Sequence, residues 1–485
     1  MSPGRSARPL ALACAIALAS ACGGGGGATP PQRKDGGPTD AQVVVEVPAR
    51  TLGMPDFASY GWRKRGGHPA FRVARKAEAG DDWPTVVTTC QQALAADPGH
   101  LEAAWLLAAG LGKLGKLDAL VAPLQVAAAG DFGKWGPASL ELPELQSFLA
   151  TPIGEAWRRR IEKDGIAYVA ALARSVIITA GGDLYAYDVD GTRWYRITRT
   201  YGAVIGVLRV GPSRIAYVTR QRSVKDKKTT LAVGLIDLAR GKSSRPVELG
   251  TKGPITIAYS SKTNPGIWIG AGAPRATSWR RFDEDYLLTA LPAKSTRPPG
   301  PWLEVKGKTV RLHALPVSGV TADWDDKGLA SAARLGKSGR VVTVPSPGLI
   351  DGNTATWSPD RSQIAFIAQL DDQCAAGAVN AAAFVADATT GTVTELERAA
   401  DGLAVEWVGD RKLAIAGDGG VRIVDLDGTP PISLEGAVGL IPPRHRPTCT
   451  PPDPPDTDLP DDPDALESPT SPTAVNLDAG VVEPP

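Results

Sequence analysis

The amino-acid sequence predicts a multidomain chain, α plus all-β, in which a short helical repeat is followed by a domain of repeated strand groups. Three observations predict it. Apolar residues recur at helical spacing from about Ala70 to Ala129; the period shortens to two from Ile166 onward; and a hairpin that ends a strand in Asp and turns through Gly returns near every 50 residues. The 485 residues suffice for two or more domains and a sizeable core. A 43% apolar share and a formal net charge of +1 give no whole-chain case for binding nucleic acid or a membrane surface.

The N-terminus has the three parts of an export signal: Arg5 and Arg8, an apolar run from Leu10 to Leu18, then Ala19, Ser20 and Ala21. The run is too short to span a bilayer core, which needs roughly 20 apolar residues. No later stretch approaches that length without Gly, Pro or charge. Leu18-Ala19-Ser20-Ala21-Cys22 resembles the bacterial lipobox. The resemblance implies that residues 1–21 are removed and that Cys22 carries fatty-acyl chains such as palmitate. Gly23 rather than Asp after the Cys implies the outer membrane. Leu18 stands four places before the Cys, where the family usually has it three before, and Ala19-Ser20-Ala21 also suits an ordinary signal peptidase, which would leave Cys22 a plain N-terminal residue. Gly23 to Gly27 favours the anchor, because such a run serves as a spacer between membrane and domain. At about 0.8 kcal/mol per buried methylene, several acyl chains hold a protein on the bilayer almost permanently. Residues 22–55 are therefore expected to be a lipidated Cys and tether, with one short strand at Val43 to Val47.

Residues 56–165 are expected to form the helical domain. Leu101, Ala104, Leu107, Ala108 and Leu111 share one helix face and Leu117, Leu120, Leu124 and Ala127 the next, an αα-hairpin. With Gly115 in the turn and Pro98 closing the preceding unit, these residues resemble the tetratricopeptide repeat. The resemblance covers about 60 residues, enough for two repeats, and departs from the family pattern at Trp105, Val86 and Cys90. It implies that helices at Leu140 to Leu149 and Ile153 to Lys163 cap the stack. Generic helical-bundle packing is the competing reading.

Residues 166–441 are expected to be all β, beginning with strands at Ile166 to Leu172, Val176 to Thr179, Leu184 to Asp188 and Trp194 to Thr198. The hairpins Asp188…Gly191, Asp237…Gly241, Asp387…Gly391 and Asp425…Gly428 combine a carboxylate that bonds a turn's backbone with a glycine that supplies positive φ. The gap between Asp237 and Asp387 leaves room for two degenerate units, one at Lys337-Ser338-Gly339 and one around Asp283 to Leu291. Four strands in each 40 to 50 residues is the signature of a propeller blade. The best unit, Ala355-Thr-Trp-Ser-Pro-Asp360 through Asp387…Gly391 to Leu396, resembles the repeat of TolB-like (WD40-like) β-propellers. Six blades are expected, with five, seven or an irregular sandwich as alternatives.

Residues 442–485 are rich in Pro and Asp, with nine acidic side chains and no Lys or Arg from Thr450 to Pro485, and are expected to be disordered. Of the five cysteines, Cys14 leaves with the signal, Cys22 takes lipid, Cys90 sits in an apolar helical pattern as a buried thiol, and Cys374 and Cys449 are left as a possible disulfide or as two free thiols. The four histidines lack metal-ligand spacing, and no Gly-x-Ser-x-Gly elbow, phosphate loop or dinucleotide fingerprint occurs. Asp188, Asp190, Asp425 and Asp427 read as turn formers rather than paired catalytic carboxylates. Trp157-Arg158-Arg159-Arg160 and Trp279-Arg280-Arg281 read as solvated faces, or as receivers of the acidic tail through a contact that salt weakens. The expected function is that of a non-enzymatic outer-membrane lipoprotein, without cofactor or metal, whose two modules bind envelope proteins and no nucleic acid. The alternative is an envelope polymer or small ligand bound or hydrolysed in the propeller channel.

Overall fold

The computed structural model describes Tyr60 and residues 63–441, apart from positions 212, 223–227, 263, 273–277, 283–287, 315–316, 346–347, 371–380, 400–402 and 435. The expected export signal, Cys22, the expected tether and Val43 to Val47 strand, Cys374, Cys449, their possible bond and residues 442–485 all lie outside the described residues.

Among the described residues seven α-helices come first: α1 (His68–Glu78), α2 (Trp83–Ala96), α3 (Leu101–Lys113), α4 (Val121–Gly130), α5 (Phe132–Glu141), α6 (Gln146–Leu149) and α7 (Pro152–Arg174). Their starts are written in side chains. Asp82 caps α2 by accepting from Thr85 N at 3.2 Å, His100 caps α3 through Nδ1 from Ala103 N at 3.1 Å, and Thr151 caps α7 from Gly154 N at 3.1 Å. Consecutive helices from α1 to α5 pack against each other, burying Val86, Val87, Cys90, Leu107, Ala108, Leu111 and Leu124.

Two expectations are corrected here. Leu140 to Leu149 is not one helix: α5 stops at Glu141, and Leu142, held extended before Pro143, leads into a short 3₁₀ turn. Ile166 to Leu172 is not a strand but the last two turns of α7, so the boundary set between residues 165 and 166 falls inside a helix and moves to Ser175. The reason is periodic: Ile161, Tyr168, Ala171 and Leu172 are buried on one helical face, while Ile166 is 76% exposed.

Among the described residues the β region forms six sheets, and every strand pair is antiparallel. The first contains Val176–Ala180, Asp183–Asp188 and Arg193–Arg196. The second is built on Val204–Arg209, Arg214–Arg222 and Thr229–Asp237. The third orders Ile255–Ser260, Gly266–Ala271, Ser278–Phe282 and Leu288–Ala290, and adds Trp302–Lys306 and Thr309–His313 beside Ile255–Ser260. The fourth joins Val320–Thr321, Ala332–Leu335 and Arg340–Thr343; the fifth, Leu329–Ala330, Leu349–Trp357, Gln363–Gln369, Ala381–Asp387 and Val393–Ala399; and the sixth, Ala404–Trp407, Lys412–Gly417, Gly420–Asp425 and Ile432–Leu434. Gly439–Leu440, far along the chain, returns to the first sheet, with Ile178 opposite Leu440 and Thr179 opposite Gly439.

Strand alternation sends the two faces of a sheet into different cores. In the fifth sheet Ile364, Phe366, Phe384 and Ala386 pack toward the fourth, whereas Ala365, Ile367, Ala383 and Val385 pack toward the sixth. Ala414, Ala416, Val421 and Ile423 of the sixth then join Ile178, Tyr185 and Trp194 of the first. Leu184, Ala186 and Tyr195 on the other face of the first sheet meet Ile215, Tyr217 and Ile236 of the second, beneath the helices. The second sheet's remaining face packs on the third. Burial on both faces makes strands such as Gln363–Gln369 and Ala381–Asp387 continuous apolar runs rather than strict alternations of period two.

The Asp…Gly hairpins have the expected chemistry in three of the four places. Asp387 Oδ1 accepts from Thr389 N and Thr390 N at 2.8 and 2.7 Å, Asp237 Oδ1 from Arg240 N at 3.1 Å, and Asp425 Oδ1 from Asp427 N at 2.9 Å; Gly391, Gly241 and Gly428 take positive φ. Asp188 differs. Its carboxylate takes a bidentate pair from Arg174 at the end of α7, at 2.8 and 2.6 Å, and Thr192 rather than Gly191 adopts positive φ.

Candidate functional site

A cleft of about 440 Å³ opens at the seam between the helices and the first two sheets. Phe132, Gly133 and Pro137 of α5, Gly165, Tyr168, Val169 and Leu172 of α7, and Ile197 and Ile236 make its apolar walls. The hairpin after Thr229–Asp237 brings Asp237, Arg240 and Lys242 to its rim, and Arg199 closes one side. Two rim cations thus stand beside one carboxylate, with Arg240 Nε 3.7 Å from Asp237 Oδ2. Arg240 and Lys242 are exposed.

The walls are fixed by a buried polar junction. Arg199 binds Asp131, the residue before α5, with both ends of its fork: Nε to Oδ2 at 2.9 Å and Nη2 to Oδ1. Burial works against the Arg199 charge, but Asp131 more than offsets it and holds the guanidinium protonated far above its ordinary range. Beside it, Asp183 accepts from Arg196 Nη2 at 3.0 Å and from Thr198 Oγ1, Thr200 N and Thr200 Oγ1 at 2.8 Å each. The Arg196 guanidinium lies 5.1 Å from the Tyr60 ring, and Tyr60 donates its hydroxyl to Gly130 O at 2.8 Å. Burial raises the Tyr60 and Tyr168 hydroxyls well above their usual range, so both stay neutral donors.

Two glycines make the close approaches possible. A Cβ on Gly133 would lie 2.6 Å from Tyr168 Oη and 3.0 Å from Arg199 Nη2. Gly241, at φ +63°, passes so near Tyr168 and Val169 that a Cβ would stand 3.1 Å from each.

A search of the protein-family models finds none that matches, and a comparison with curated protein sequences finds no match. Solved structures with some likeness include the tricorn protease, at 10% identity over 54% of this chain and 26% of that one, with a TM-score of 0.28. A KlHsv2 variant with loop 6CD replaced by a Gly-Ser linker aligns at 14% identity over 51% of this chain and 87% of that one, with a TM-score of 0.26. A eukaryotic initiation factor aligns at 12% identity over 56% and 86%, with a TM-score of 0.24. This chain spans about a quarter of the tricorn protease. Each TM-score is below 0.5, and none of these proteins' activities transfers to this chain.

The residues singled out in the sequence fall elsewhere. Cys90 is a free, buried thiol whose pKa burial pushes up to about 12. Among the described residues no group of three or more His, Cys, Asp or Glu could hold a metal ion, and no helix is long and apolar enough to cross a membrane. Trp157 is buried and donates to Ser139 Oγ at 3.0 Å, and Trp279 is buried, so neither ring lies on a solvated face. Arg158 and Arg159 pair with Glu155 on the exposed face of α7. At the rim of the cleft the Asp237…Gly241 hairpin carried a signal for a turn, while Tyr168, Val169 and Leu172 lay in a run that reads as a strand and Ile197 in another. Arg199, Lys242 and Gly133 gave none, because their roles arise from elements distant in the chain.

Proposed function

We propose that this protein is an exported lipoprotein, anchored through Cys22, that binds a segment of a partner protein at the seam between a tetratricopeptide-like stack and a six-bladed β-propeller. The propeller reading is supported by six sheets in chain order, by cores that link the first sheet to the second, the second to the third, the fourth to the fifth, the fifth to the sixth and the sixth to the first, and by Gly439–Leu440 completing the first sheet. The sequential packing of α1 to α5 supports the helical-repeat reading. The observation that carries the binding reading is the cleft itself, because both modules build it and it joins apolar walls to a cationic rim. The apolar surface continues outward, since Ile166 lies one turn from Val169 and is 76% exposed.

A photo-reactive phenylalanine at position 166, with a control at Val341, which is exposed in the fourth sheet, tests this in intact envelopes. The expected result is an adduct with another protein from position 166 that is lost on Arg240→Glu and absent from position 341. No adduct, or equal adducts from both positions, sinks the reading. Fatty-acid labelling of wild type and Cys22→Ala tests the anchor; label kept by the variant removes it.

One observation favours a second reading, a ligand in the propeller channel. Arg209 of the second sheet reaches Glu406 Oε1 of the sixth at 2.7 Å, while Glu406 Oε2 is buried with no hydrogen-bond partner among the described residues. Titration calorimetry with peptidoglycan fragments decides: heat that Glu406→Gln abolishes favours the channel, and no heat with wild type removes it.

A further inference from the structure

We infer that the chain's own acidic segment, Asp453 to Glu467, occupies the seam cleft and must be displaced before a partner enters. The inference rests on the partner-docking reading and adds its regulation.

Three observations lead to it. The first is where the described chain stops. Gly439–Leu440 runs antiparallel to Val176–Ala180 with Leu440 opposite Ile178, so the next residue, Ile441, comes level with Ile177, just beyond the end of α7. Ile441 is buried in the same apolar cluster as Phe132, Tyr168, Leu172, Ile197 and Ile236, all of which line the cleft. The following residues therefore start from the helix end of the seam.

The second is reach. Twelve positions separate Ile441 from Asp453, and at about 3.3 Å per extended residue they span about 40 Å, far more than the two helical turns between the α7 terminus and the middle of the cleft. A tethered segment of this length also meets its site at an effective concentration on the order of millimolar, so modest contacts suffice to fill it.

The third is complementarity. With Arg199 bound to Asp131, the rim of the cleft carries Arg240 and Lys242 beside the single carboxylate Asp237, and Arg245 is exposed two residues beyond the lining Ser243. Asp453 to Glu467 holds seven carboxylates and no cation, with Leu459 and Leu466 interspersed, and that pairing of charge with apolar side chains matches a cationic rim over apolar walls. Arg158, Arg159 and Arg398 stand on open surface outside the cleft, where its apolar walls add nothing to their charge.

Zero-length carbodiimide coupling of the full chain, mixed from isotopically light and heavy copies, tests the contact. The coupling joins a lysine amine to a carboxylate only when they touch. Lys242 is expected to link to carboxylates of Asp453 to Glu467 within single copies, and the yield to fall at least fivefold on Arg240→Glu or in 0.5 M NaCl. Neutralising the seven carboxylates to Asn and Gln should raise the partner adducts from position 166 at least threefold. Links that favour exposed Lys116 or Lys163 over Lys242, or that join only light to heavy copies, overturn the inference. If Lys242 stays unlinked while partner adducts from position 166 persist, this inference falls and the docking reading stands; if both are absent, both fall.

Discussion

Replacing Arg199 with Met tests whether the Asp131 pair holds the helices to the sheets. The substitution keeps most of the side chain's apolar length but removes the fork that binds both Asp131 oxygens. Asp131 is buried, with a side chain only 3% exposed, and it would be left as an unpaired carboxylate. Breaking a buried pair in this way costs about 3 to 5 kcal/mol. The lower end applies, because 22% of the Arg199 side chain reaches solvent and water can partly replace it. At roughly 2 °C per kcal/mol for a domain of this size, about 3 kcal/mol lowers the melting temperature by about 6 °C. Thermal unfolding followed by circular dichroism reads the shift. Asp131→Asn combined with Arg199→Met should recover at least half of it, since no charge is then stranded. A shift below about 1 °C, or a double variant as unstable as Arg199→Met, would refute the argument.

Three other outcomes are expected. Phe384 is buried and stacks with Phe366 at 5.8 Å between the fourth and fifth sheets, so Phe384→Ala should cost about 3 to 5 kcal/mol in denaturant unfolding; a loss under 1 kcal/mol contradicts that packing. With its pKa pushed up to about 12 by burial, Cys90 should resist a thiol reagent at pH 8 until the chain is unfolded in guanidinium, and peptide mapping that finds it labelled within minutes in the native state excludes the buried site. Burial raises the Glu406 carboxyl above its ordinary 4.5, against the opposing pull of Arg209. The fold therefore favours the protonated form, and stability present below pH 4.5 is lost as pH rises through the raised value. Glu406→Gln should remove that decline, and an unchanged stability profile from pH 4 to 8 contradicts it.

Local elements were legible in the sequence because their signals are local. Pro98 and the 3.6-residue spacing around Leu107 mark α3, and Asp387 with Gly391 marks a hairpin whose hydrogen bonds close within three residues. The errors came where one period imitates another. Ile166 to Leu172 mixes β-branched and aromatic residues as strands do, yet Tyr168, Ala171 and Leu172 also fit a helical face, and packing against the first two sheets selects the helix. The candidate site was illegible for a different reason. Asp131 and Arg199 are 68 residues apart, and nothing in either's neighbours specifies the other.

The corrected boundary has a mechanical consequence. A single residue, Ser175, separates the end of α7 from Val176–Ala180, and Ser175 Oγ is tied back to Ala171 O at 2.7 Å while Arg174 is clamped to Asp188. The helix therefore cannot swing without dragging the strand that also pairs with Gly439–Leu440. With α7 continuous into the first sheet, the wall that Tyr168, Val169 and Leu172 give the cleft is fixed to the strand that follows it.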